Sequence, residues 1–262
     1  MVQSFDPPLT PLFDSLSAIE DRHFWFRTRN SIISGLVKQI TNDMGPGYLV
    51  LEVGCGTGNV LKGLQEVCSD GAVIGMDLFS EGLKHARRRT SCPLVKGDAR
   101  SLPFAQKFNI IGLFDVLEHL PEDMKVLADL HSLLTEDGLL ILTVPAYQSL
   151  WSNFDIASHH FRRYKLDELE NKLIGNGYQV EYLSYFMGCI FPIVWIERRL
   201  KGLIDRRSAN DQASDELRIV PVVNELLAWL LAQEARLIIA RKRIPFGTSL
   251  IAIARKTQKP SI

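Results

Sequence analysis

The stretch "LEVGCGTGNV", residues 51–60, decides the fold. The apolar run Tyr48–Val53 reads as a short buried strand, and Val60, Leu61, Leu64 and Val67 then recur at helical spacing. Gly54, Gly56 and Gly58 therefore stand on a strand-to-helix turn. At such a turn glycine supplies positive φ, and its missing Cβ lets a ligand approach the backbone. The helix N-terminus adds N–H groups that face a negative group.

Working outward, strands and helices alternate. "AVIGMDL" (72–78) is a strand ending in Asp77, and "EGLKHARRR" is a polar, basic helix with a solvated face. "PLVKGDA" (93–99) ends in Asp98. "FNIIGLFDVLEHL" (108–120) enters as a strand and leaves through Asp115, after which Pro121 opens a helix. "GLLILTVPA" is a fifth apolar strand, "YQVEYLSYF" a sixth and "TSLIAIARK" a seventh. This order predicts an α/β, Rossmann-like fold with its ligand crevice at the carboxyl ends of the strands.

The whole chain sets the bounds. Its 262 residues suit one large α/β domain with an elaboration, and 30 Lys and Arg balance 30 Asp and Glu, so no global charge points to nucleic acid. Cys55, Cys68, Cys92 and Cys189 lie far apart without a CxxC pair, which favours reduced thiols and a cytosolic location. The N-terminus lacks the blocks of a secretory signal, and no stretch approaches the ~20 uninterrupted apolar residues of a membrane span.

A dinucleotide-binding dehydrogenase calls for G-x-G-x-x-G, whereas this turn is G-x-G-x-G with Asn59 where the third glycine would stand. Glu52 also places a carboxylate where a pyrophosphate would be repelled and an ammonium attracted. An NAD-binding oxidoreductase is thereby disfavoured.

With these motifs the chain resembles the class I S-adenosylmethionine-dependent methyltransferases. "LEVGCGTG" matches their first motif, Asp77 with Leu78 the second, Asp98 with Ala99 the third, and "FDVLEHL" the segment after strand four. The resemblance implies a mostly parallel seven-stranded sheet with an antiparallel last strand. It also implies S-adenosylmethionine as cofactor. The glycine turn of Gly54, Gly56 and Gly58 would meet its methionyl part, Asp77 its ribose hydroxyls, and Asp98 with Ala99 its adenine; Glu52, Cys55, Leu78, Phe114 and Asp115 would also belong to the cofactor site. The sulfonium activates the methyl group, so such an enzyme chiefly holds a nucleophile in line and excludes water. A catalytically inactive cofactor-binding protein is the alternative within this resemblance.

"AIEDRHFWFRTRN" is similar to the "E..HFWF" segment of bacterial and archaeal methyltransferases found with glycan-assembly genes. That likeness gives Phe24, Trp25 and Arg29 a lid role over the cofactor, while the buried face of a helix running on through Ile32, Ile33 and Leu36 is the alternative. "ASHHFRRYKL" also looks like this subgroup and sets His159, His160, Arg162, Arg163 and Tyr164 on the loop after strand five. His119, His160 and Tyr164 are the candidate catalytic residues, with His119 as a base of ordinary imidazole pKa. Asp115, Glu118 and His119, at i, i+3 and i+4, would share one face of a helical turn and could hold a divalent ion with His160. Ubiquinone-pathway O-methyltransferases carry a similar site.

The expected division is a helical lid at 1–46, a cofactor-binding core at 47–186, a helical insertion at 187–247, and the last strand with its tail at 248–262. The insertion runs from "FMGCIFPIVW" to basic "ERRLKGLIDRR", and "SANDQASDE" (208–216) reads as a polar loop. Three uses stand open for it: a cap over the acceptor, a homodimer seam, or peripheral contact with the inner face of the membrane through Phe186, Phe191, Trp195 and Trp229. By analogy with the subgroup, the acceptor is a hydroxyl on a sugar, glycolipid or small metabolite.

Overall fold

The structure, a computed structural model, describes residues 10–204 and 219–257; the stretch 208–216 lies outside the described residues. Seven strands form one sheet: β1 (Leu49–Val53), β2 (Ala72–Asp77), β3 (Leu94–Lys96), β4 (Phe108–Phe114), β5 (Leu134–Pro145), β6 (Tyr178–Phe186) and β7 (Ser249–Lys256). Their order is β3-β2-β1-β4-β5-β7-β6. Neighbours from β3 to β5 are parallel, while β7 lies antiparallel between β5 and β6. The expected mixed, mostly parallel sheet is the one observed. Because the strand order reverses between β1 and β4, the crevice opens where these two strands end side by side.

β1 and β4 are apolar almost without interruption because helices cover both faces. On one face α5 (Asp123–Leu133) and α7 (Leu166–Gly175) press Leu127, Leu130, Leu169 and Leu173 against Leu51, Leu113 and Leu142. On the other, α3 (Asn59–Val67) packs beside the longer helix α2 (Phe24–Asn42), with Leu61, Ile33 and Leu36 in a second cluster. Helices α4 (Ser80–Arg89) and α1 (Thr10–Ile19) lie against each other toward the β3 edge. A short helix α6 (Asn153–Ala157) stands in the loop after β5.

Helices α8 (Phe191–Ile204) and α9 (Pro221–Ile239) form the described part of the region between β6 and β7. α9 does not stand apart. It packs along α2 so closely that a Cβ on Gly35 would fall 2.5 Å from Ile239 Cδ1. Near its start the Asn224 side chain accepts from the Phe24 N–H at 2.9 Å and donates to the Arg22 carbonyl at 2.9 Å. Phe186, expected on an exposed apolar face, is instead wholly buried in the second cluster, because β6 carries it into the sheet. Trp195 and Trp229 are exposed. The chain following α9 runs along β6, the edge strand, where Ile244 bridges Tyr185 and its N–H donates to Ser184 Oγ at 2.8 Å. That run covers an edge that would otherwise offer unpaired backbone groups. No helix among the described residues is long and apolar enough to cross a membrane.

Candidate active site

The glycine turn is built by necessity. Gly54 has φ +77° and an added Cβ would stand 2.3 Å from Val116 Cγ2; Gly58 has φ +79° and its Cβ would stand 2.8 Å from the Ala86 Cα. Gly56, at φ +50°, faces open space instead, the side from which a ligand reaches the backbone. Asp77, at the end of β2, accepts from the Gly56 N–H at 2.7 Å and from the Phe79 N–H at 2.8 Å. The carboxylate is thus fixed beside the turn. Burial pushes its pKa up, against the pull of these N–H donors.

Glu52 is buried, and its Oε2 has no hydrogen-bond partner among the described residues. Burial holds its pKa well above the usual carboxylate range; Arg29 pulls it down, and Asp77 and Glu20 push it further up. A buried carboxylate with an open lone pair at a ligand turn fits a cationic amine. Asp98 pairs with Arg100 at 2.6 Å, and the hydrogen bond from that guanidinium lowers its pKa. Leu78 is exposed beyond Asp77, whereas Ala99 packs against the first cluster. Cys55 and Phe114 are buried in the second cluster, and burial raises the Cys55 thiol so far that it is an inert spacer.

The N-terminal helices reach this turn. Glu20 accepts from the Thr57 hydroxyl and pairs with Arg89 at 3.3 Å, fastening the α1–α2 junction to the glycines. His23 caps α2, accepting from the Trp25 N–H at 3.2 Å. Arg29, almost buried, pairs with Asp115 at 2.7 Å and lies 4.9 Å from the Trp25 ring centroid and 5.4 Å from that of Phe26. Phe24 and Trp25 are half-buried against the second cluster. These aromatics therefore pack as a core while holding a cation at the mouth of the crevice.

The acidic and histidine residues after β4 do not share the face expected of them. Asp115 adopts φ +53°, which turns its carboxylate toward Arg29, and only Leu117–His119 form a 3-10 turn. The residues that do converge are Glu118, His119 and His160, each with one ligand-capable atom within 4.8 Å of the others. Both oxygens of the buried Glu118 lack a partner among the described residues; burial, then the charge of Asp115, raise its pKa well above the usual range. His119 is not an ordinary imidazole. Burial, with His160 beside it, holds its pKa down to about 4, so it is neutral at pH 7. The two rings meet edge to face at 4.6 Å.

Tyr164 does not join them. It is wholly buried, its hydroxyl donating to Asp123 at 3.0 Å, and burial raises its pKa out of catalytic range. Arg162 pairs with Asp123 at 2.9 Å, and Arg163 with Asp155 at 2.8 Å. The loop's guanidiniums thus serve buried carboxylates rather than an acceptor. Asp155 has no motif to announce it. Fully buried, it accepts from His160 Nδ1 at 2.8 Å, from Arg163 Nε and a terminal nitrogen at 2.8 and 3.0 Å, and from the Ser152 N–H at 2.8 Å. Burial opposes its ionisation, but the His160 hydrogen bond and the Arg163 charge outweigh it and hold the pKa at about 2. Its one sequence signal is the Ser152-x-x-Asp155 capping box.

A glycine turn after β1, a carboxylate ending β2 and a sheet of this order together define the class I methyltransferase architecture. The comparisons agree. Residues 50–138 match the family model described as a methyltransferase domain. An uncharacterised protein of Methanocaldococcus jannaschii is 32% identical over 129 residues, 48% of this chain and 49% of that protein. A ubiquinone biosynthesis O-methyltransferase of Actinobacillus pleuropneumoniae is 28% identical over 108 residues, 37% of this chain and 45% of that enzyme. The chain thus spans less than half the length of either curated relative. A chain of the Haloferax volcanii complex between the Trm112 methyltransferase activator and a methyltransferase shares the fold, with a TM-score of 0.61 at 16% identity over 97% of this chain and 98% of that one.

Proposed function

We propose that this protein transfers a methyl group from S-adenosylmethionine to a hydroxyl on a sugar, glycolipid or small metabolite. The observation that carries the reading is the pairing of an open glycine turn with Glu52, whose buried oxygen has no partner among the described residues. A cofactor bearing an ammonium group would supply that partner and favour the ionised carboxylate. Asp77 would accept from the ribose hydroxyls with Leu78 beside it, Asp98 and Ala99 would border the adenine, and Arg29 with Trp25 and Phe24 would close the mouth. When bound, the cofactor supplies the activated methyl group. The protein's own part is to orient the acceptor hydroxyl and to take its proton, for which the neutral imidazole of His119 and the ring of His160, held by Asp155, are placed; proton acceptance of this kind is worth about 10²–10⁴-fold.

A divalent cation is a second reading of the same residues, favoured by the unpartnered oxygens of Glu118 beside two histidines. Glu118, His119 and His160 would be its ligands, and the cation would supply charge against the acceptor oxygen. Asp115, held by Arg29, would not take part. The exposed Ile193, Trp195 and Ile196 of α8 and Val222, Val223 and Trp229 of α9, with Arg199 over the Trp195 ring, support a peripheral contact with an anionic membrane surface.

The test is calorimetric titration with S-adenosylhomocysteine, with NAD as the comparison and with and without magnesium. Saturable binding of the first ligand alone is expected, followed by turnover with a hydroxyl acceptor. Binding without turnover across acceptor classes would favour an inactive cofactor-binding protein, and binding of NAD instead would overturn the proposal.

A further inference from the structure

His160 is a member of the acid–histidine cluster whose ring is held by a buried carboxylate. Its Nδ1 lies 2.8 Å from Asp155 Oδ1, and its main-chain N–H donates to the Asp155 carbonyl at 2.9 Å. An ionised carboxylate only accepts, so Nδ1 must carry the hydrogen. Nε2 is then left as the ring's open lone pair, and the ring stands edge to face with His119, 4.6 Å away and next to the unpartnered Glu118. Five donors converge on the two oxygens of Asp155: His160 Nδ1, Arg163 Nε, a terminal Arg163 nitrogen, and the N–H and hydroxyl of Ser152. The carboxylate is fully buried and has no freedom to turn away.

Resting on the methyltransferase reading, we propose that Asp155 is the positioning residue of this site, holding His160 as the Nδ1–H tautomer so that Nε2 receives the acceptor's hydroxyl proton. In the step it serves, the acceptor O–H bond breaks with its proton passing to His160 Nε2. The O–CH₃ bond forms, and the S–CH₃ bond breaks with its electron pair remaining on sulfur. Asp155 takes no proton. Its charge fixes the ring and favours the imidazolium that results. Arg163 has the supporting part of keeping the carboxylate in plane between the ring and the Ser152 N–H.

Asp155→Asn is a sharp perturbation because an amide offers one oxygen where five donors share two. With its NH₂ toward the ring, it opposes one donor, Arg163 Nε, while Nδ1 can turn to accepting as the proton moves to Nε2. With the NH₂ turned away, it opposes the Arg163 and Ser152 donors, and arginine does not give up a proton to relieve them. The turned-away amide leaves both the Arg163 terminal N–H and the Ser152 main-chain N–H opposed, so the orientation toward the ring, where the imidazole can switch, is favoured. The experiment is two-bond ¹H–¹⁵N correlation of the histidine rings in the EDTA-treated full chain at neutral pH, with His160 assigned from His160→Gln. Expected is a protonated Nδ1 and a bare Nε2 for His160 in the wild type, and loss of that tautomer in Asp155→Asn.

With an acceptor that turns over, Asp155→Asn and His160→Gln should each lower kcat by about 10²-fold or more, and the double variant should fall no further than the worse single one. A wild-type His160 protonated on Nε2 would overturn the proposal without any variant. So would an unchanged tautomer in Asp155→Asn, or additive losses in the double variant. Titration with S-adenosylhomocysteine on the same samples reads the methyltransferase proposal separately, since the ring tautomer is observed without cofactor.

Discussion

Replacing Gly54 with alanine tests the physical account of the turn most directly. A residue with Cβ at φ +77° gives up about 1–2 kcal/mol relative to the right-handed region. The new Cβ would also stand 2.3 Å from Val116 Cγ2, far inside the ~3.5–4.0 Å at which carbon atoms attract. Relieving that overlap means turning Val116 or shifting β4 against β1, an overpacking effect of about 1–3 kcal/mol. The sum is about 2–5 kcal/mol, a large share of the ~5–15 kcal/mol that holds a domain folded. Val116 immediately precedes the Leu117–His119 turn, so its displacement also reaches the acid–histidine cluster.

Urea unfolding followed by tryptophan fluorescence measures the loss, and the Val116→Ala background divides it. Shortening Val116 should restore the packing part and leave the backbone part, so the cost of Gly54→Ala should drop to about 1–2 kcal/mol there. A Gly54→Ala protein within about 0.5 kcal/mol of the wild type would refute the reasoning, as would an equal cost in both backgrounds.

Asp77→Ala should weaken S-adenosylhomocysteine binding about 100-fold by calorimetry, the equivalent of about 3 kcal/mol of charge-assisted hydrogen bonding; unchanged affinity would remove Asp77 from the site. Glu52 holds in the folded chain a proton that the unfolded chain loses above about pH 4.5. Its contribution therefore falls as pH rises from there. Glu52→Gln should show a correspondingly less negative slope of stability between pH 5 and 7, and identical slopes would refute the assignment. His119 has the opposite sign: with its folded pKa lowered to about 4, its contribution is full above about pH 6.5 and is lost as pH falls toward 4. His119→Gln should flatten that limb in urea titrations and lower turnover while sparing cofactor binding; equal turnover would eliminate it as a base. Liposome flotation should depend on acidic lipid and fade with salt if α8 and α9 meet a membrane; flotation absent under all lipid conditions would leave those faces to a second copy or an acceptor.

The sheet was legible because its signals are local and repeated: apolar runs such as "YLVLEV" and "FNIIGLF", each ended by an acidic residue or glycine turn, leave few alternatives to parallel strands. The gathering of the site was less so. Asp115, Glu118 and His119 have the spacing of one helical face, yet a left-handed backbone at Asp115 and an arginine 86 positions earlier draw the carboxylate aside. Nothing in i, i+3, i+4 periodicity carries that distant charge. Tyr164 and the two arginines after His160 read as acceptor residues because the loop is polar. Their partners, Asp123 and Asp155, are set by the fold rather than by neighbours in sequence. The depressed pKa of His119 likewise comes from burial, which residue identity does not record.

The placement of β7 between β5 and β6, with α9 clasping the start of α2, also fixes an order of assembly during synthesis. A nascent chain can stack β1 to β5 and α3 to α5 as they emerge. β6 has no place to pair until Ser249–Lys256 follows it, and the Phe24 N–H waits for Asn224, 200 residues downstream. The segment over the glycine turn is therefore among the last parts to be locked, and a ribosome stalled before residue 224 would present the cofactor crevice without its final clasp.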